Sequence, residues 1–97
     1  MSEHLVKALN DIHPNVRAAA ATVLGWFRDE RAVIPLLKRM KDNFDHVRLA
    51  AIEALGEIGD EVAAQPLRLL MENEEAHTAL WLAGLASLLM INEKKKG

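Results

Sequence analysis

Cysteine and tyrosine are absent from this 97-residue chain, proline occurs three times, and aromatic residues make up 4% of it. Without cysteine there is neither a disulfide framework nor thiolate chemistry, and a reducing, cytoplasmic setting is expected. So few prolines leave long stretches free to be helical. The longest apolar run is 13 residues, Ala79 to Ile91, and it contains Gly84 and Ser87. A membrane-spanning helix needs about 20, so this run suits a buried helix instead. The first dozen residues lack the basic start and apolar stretch of a secretion signal.

What the chain has is alanine and leucine. Hydrophobic residues make up 51% of it, the composition of packed helices, and the length fits a single domain, 1–97. The formal charge of −2 hides a gradient. Residues 13–42 hold Arg17, Arg28, Arg31, Lys38, Arg39 and Lys41 against Asp29, Glu30 and Asp42, a net of +3. Residues 43–75 hold eight acids against Arg48 and Arg68, a net of −6. That acidic stretch argues against a nucleic-acid binder, which needs a contiguous basic surface.

The main signal is an internal repeat of 31 residues. Sliding 13–42 onto 44–73 matches Val16 with Val47, Arg17 with Arg48, Ala19-Ala20 with Ala50-Ala51, and Leu24-Gly25 with Leu55-Gly56. It also matches Asp29-Glu30 with Asp60-Glu61, Ala32 with Ala63, Pro35-Leu36 with Pro66-Leu67, and Met40 with Met71. A period of this length means stacked supersecondary units. Val16, Ala19, Ala20, Val23, Leu24 and Phe27 form the apolar stripe of a first helix. Gly25 and Gly56 stand where glycine can close a helix. Asp29 and Asp60 are candidate caps, and Pro35 and Pro66 fit only the opening turn of second helices starting near Ala32 and Ala63.

The chain opens with a second-helix match, Leu5 to Asp11 on Leu36 to Asp42, and closes with a first helix over roughly 75–92. The expected order is a half repeat (1–12), two repeats (13–43 and 44–74), a half repeat (75–92) and a basic tail (93–97). The expected fold is all-α: a short right-handed α-α superhelix of antiparallel helix pairs, with about five helices.

The motifs Val16-Arg17-x-Ala19-Ala20, Leu24-Gly25, Asp29-Glu30-Arg31-Ala32-Val33-x-Pro35-Leu36 and their second-repeat counterparts resemble the HEAT-like repeats of the phycobilisome-lyase type. Residues 13–72 carry the likeness. Where that family starts its first helix with Asp-Pro, this chain has His13-Pro14 and Phe44-Asp45. The resemblance implies a ladder between Arg17 and Arg48 and the repeated Asp29 and Asp60. It also implies a scaffold that binds other proteins, or else an accessory subunit of a lyase-like enzyme.

No catalytic constellation or metal-ligand spacing stands out, so neither enzyme activity, cofactor nor metal is expected. His46 and His77 lie one period apart without a third ligand, and Glu53 and Glu57 lie one turn apart on a polar stripe. Trp26 aligns with the polar Glu57, which predicts a surface tryptophan beside Arg28, a typical interface anchor. The second-helix face with Lys7, Lys38, Arg39 and Lys41 is a candidate dock for an acidic protein partner. Leu69 and Leu70 replace Lys38 and Arg39 in the second repeat, so something is expected to cover them. The closing helix is apolar nearly all round, and Trp81, Leu82, Leu85, Leu88 and Leu89 predict a homodimer through it. Ala79, Ala83 and Ser87 are expected to let the partner helix approach.

Overall fold

The computed structural model describes residues 2–96. Among them six α-helices follow in order: α1 (Ser2–Ala8), α2 (Pro14–Trp26), α3 (Val33–Arg39), α4 (Asp45–Ile58), α5 (Ala64–Asn73) and α6 (Ala79–Lys96). The count is six rather than about five, because each full repeat gives two helices and each half repeat one. The first helices α2, α4 and α6 lie side by side, and the second helices α1, α3 and α5 form the other layer. The slab measures 31 × 30 × 16 Å, about two helices thick. Each second helix has the following first helix as its nearest backbone neighbour, α1 on α2, α3 on α4 and α5 on α6. The helices at the two ends are therefore paired, not orphaned.

Local sequence explains the punctuation. Asp29 and Asp60 accept hydrogen bonds from the backbone N–H of Arg31 and Val62, capping short 3-10 turns at Glu30–Ala32 and Glu61–Ala63. The α-helical second helices begin directly afterwards. Pro35 and Pro66 take the third position of α3 and α5, where a missing N–H costs nothing.

Gly25 and Gly56, expected to close helices, instead lie inside them and permit close crossings. A Cβ on Gly25 would come 2.7 Å from the Ala54 Cα, and one on Gly56 2.8 Å from the Ser87 Cα. The left-handed residue that ends α4 is Gly59, with φ 74°. Its counterpart one period earlier is Arg28, with φ 51°.

Leu9, Leu24, Leu36, Ile52, Leu55, Ile58 and Leu67 fill the space between the layers. Fully burying each contributes about 1.5–3 kcal/mol. The central helix α4 is covered on both flanks and buries Val47, Ala50, Ala54 and Ile58. In α2 only part of the equivalent stripe is buried. Ala20 and Leu24 face the core, whereas Val16, Ala19 and Phe27 are exposed, since none of the described helices covers that side of α2.

The stack departs from its period at α6. Gly25 meets a residue 29 positions later, but Gly56 meets Ser87, 31 positions later (54 − 25 = 29; 87 − 56 = 31). The helix is thus displaced by two residues, a rotation of about 200° at roughly 100° per residue. The cause is size. A strict period would put Leu85 against Gly56, where only a small side chain fits. Ser87 fits, and its hydroxyl donates to the Ile52 carbonyl at 2.7 Å.

The start of α6 at Ala79, after a left-handed His77 (φ 72°), accommodates the shift. At its other end α6 continues through Lys94, Lys95 and Lys96 instead of releasing a basic tail. Lys94 donates to the Ile58 carbonyl at the end of α4, and Lys95 pairs with Glu61. Cations also suit a helix C-terminus electrostatically.

Candidate interaction surfaces

The expected ladder of Arg17 and Arg48 with Asp29 and Asp60 does not form, because both acids are occupied in capping. Arg17 holds Asp42 instead, Nε to Oδ2 at 2.8 Å and Nη2 to Oδ1 at 3.1 Å. Its Nη1 donates to the carbonyls of Asp11 and Ile12 at 2.7 and 3.2 Å. Asp42 also accepts from Arg39 Nη1 and from the Phe44 N–H, which ties the loop after α3 to the starts of α2 and α4. The Arg17 guanidinium, then the Phe44 amide, hold the Asp42 carboxyl below its usual range against the opposing effect of burial. The signal for Asp42 was in the sequence. Asp11 and Asp42 stand one period apart, each just before a first helix.

Trp26, Phe27 and Arg28 are all exposed at the end of α2, with Trp26 at 66%. The surface tryptophan expected beside Arg28 is therefore present. On the second-helix layer Lys7, Lys38 and Lys41 are exposed and lack an ion pair among the described residues. Arg39 differs from them, being half-buried and bound to Asp42. His46 Nε2 lies 3.0 Å from Asn15 Oδ1, linking successive first helices. Among the described residues no three His, Cys, Asp or Glu side chains gather as metal ligands. No described helix is long and apolar enough to cross a membrane.

A stack of antiparallel pairs with small-residue crossings and repeated Asp caps is matched by one family description, HEAT repeats, over residues 2–86. The chain belongs to the HEAT-repeat family. Among curated proteins none matches the sequence. HEAT repeats generally mediate protein–protein scaffolding, so the surfaces that matter are those this stack leaves uncovered.

One uncovered apolar surface of this HEAT-repeat chain is on α6. Leu82, Leu85, Leu89 and Met90 are exposed, Leu89 at 57%. Of the other residues expected there, Leu88 packs against the core, and Trp81 is half-buried with its ring 5.2 Å from His77. Of the small residues expected to admit a partner helix, Ser87 is buried on Gly56 and Ala83 packs against the core, whereas Ala79 is exposed. Leu70 and Met71 are covered by α6 at Gly84, whereas Leu69 remains exposed.

Proposed function

We propose that this chain is a non-enzymatic protein-interaction module that forms a homodimer through the outer strip of α6. The observation that carries the reading is the strip itself. Leu82, Leu85 and Leu89 recur at helical spacing on an 18-residue helix and face away from α4 and α5. Each such side chain gains about 1.5–3 kcal/mol on full burial, and contiguous exposed apolar surface of this kind marks interfaces. A second copy supplies the same strip, and two-fold packing closes the assembly at two chains.

The exposed Lys7, Lys38 and Lys41 and the Trp26–Arg28 end of α2 leave further surface for another protein, with acidic chemistry favoured at the lysines. Within the family, the repeat signatures favour the phycobilisome-lyase type, and an accessory-subunit role stands second.

Sedimentation at micromolar concentration tests the reading. A dimer is expected for the native chain and a monomer for Leu85→Glu, Leu89→Glu, with unchanged helicity by circular dichroism. A native monomer, or a double variant that stays dimeric, sinks it.

A further inference from the structure

We infer that Arg48 forms an open carboxylate-binding socket, which a partner fills with an acidic side chain or with a chain terminus. The chain contains its own template for the occupied form. Arg17, one period earlier, grips both oxygens of Asp42, and the Phe44 ring lies 6.0 Å from its guanidinium carbon. At the corresponding places in the second repeat stand Asn73 for Asp42 and Glu75 for Phe44.

Asn73 does not substitute for the missing acid. It lies within the last turn of α5, and its side-chain amide donates to the Leu69 carbonyl at 3.0 Å. The Arg48 Nε is consequently buried without a hydrogen-bond partner. Among the described residues the guanidinium pairs with one acid, Asp45 at the exposed start of α4, through Nη2. The Nε of Arg39 also lacks a partner, but that arginine reaches Asp42 through Nη1.

Arg48 is reachable from solvent. Its side chain is 30% exposed although the Nε itself is buried, and it lines a cleft of about 450 Å³ between the starts of α4 and α6, together with His46 and Thr78. Arginine presents a planar fork that matches a carboxylate in a bidentate manner, as Arg17 demonstrates on Asp42. Asp45 and Glu74 also line the cleft and oppose an incoming anion. They restrict the site to a ligand that forms the paired hydrogen bonds, since charge alone gains little there.

The inference goes beyond the α6 interface and names a second contact by its chemistry. Arginine Nε–H resonances of the native chain are followed by NMR during titration with sodium acetate, and sodium chloride at equal ionic strength is the control. Two further arms use blocked peptides, one with a single glutamate and an amidated end, the other without acids but with a free C-terminal carboxylate. Acetate is expected to shift the Arg48 Nε–H saturably where chloride does not, and the tighter peptide names the source. Arg48→Lys is expected to weaken binding about tenfold, since it cannot form the bidentate pair. The socket is overturned if acetate shifts Arg48 no more than chloride, or if Arg48→Lys binds as well as the native chain. The resonance reports on Arg48 whether or not α6 pairs, so this result and the sedimentation result are independent.

Discussion

Arg28 adopts a backbone conformation that its counterpart Gly59 adopts without penalty. A side chain in the left-handed region costs about 1 kcal/mol or more, and such strain is often retained where a residue serves binding. Arg28 is exposed beside Trp26 and makes no ion pair among the described residues, so nothing within the fold requires arginine there. Arg28→Gly is expected to stabilise the chain by about 0.5–1 kcal/mol, part of the strain relief being offset by the freer unfolded backbone. The melting temperature then rises by roughly 4 °C in a domain of this size. A fall would show that the arginine side chain contributes more to the fold than its exposure suggests. The strain was legible only by aligning Arg28 with Gly59, and the sequence reading had placed the left-handed turns at Gly25 and Gly56.

Between elements, Asp42 is the principal polar tie, since it joins the loop after α3 to α2 and α4. Its side chain is 1% exposed. Asp42→Asn keeps the shape but leaves Arg17 and Arg39 without their counter-charge. The expected loss is on the order of 2 kcal/mol, the scale of a hydrogen bond to a charged group. The same tie sets an acid sensitivity. Asp42 has its folded pKa below the unfolded value of 3.8, so the unfolded chain binds more protons and the tie's contribution is complete above that value. It is lost as pH falls through the folded pKa. Asp29, held down to about 2 by the Ser2 hydroxyl and then by Arg31, adds its own loss as pH falls from about 4 to 2. Thermal melts from pH 6 to pH 2 should show the native chain losing stability more steeply below pH 4 than Asp42→Asn. Parallel curves would remove Asp42 from the account.

At that scale the period locates the turns and helix starts, but not the partners of Arg17 and Arg48 or the role of Gly25 and Gly56. The capped turns before Ala32 and Ala63 and the prolines behind them could be placed from spacing alone. The period fails at α6, where it would set Leu85 against Gly56 and only Ser87 fits: Leu85 is exposed, in keeping with its place in the outward set, while Ser87, expected to admit a partner helix, is buried. That choice depends on the space available at Gly56, which appears only when two helices are placed against each other. Within the outward set Leu88 faces the core, and Met90, outside that set, is exposed.

As a whole, the described residues form three layered pairs, in which α4 packs between α2 and α6. In a linear array each unit is stabilised chiefly by its immediate neighbours, so units at the ends can open while the middle stays closed. Helix α1 has seven residues and buries none of them completely, whereas α4 buries eight. Native-state hydrogen exchange should therefore show a gradient in space. Amides of α1 exchange through local fraying, those of α2 and α6 through partial opening, and those of α4 only when the entire chain unfolds. Equal exchange free energies in α1 and α4 would mean that the stack opens as a single unit. With the gradient, each outer helix can tilt or reseat against a visitor while the registration of the centre is retained. Adaptability is then a property of position along the stack.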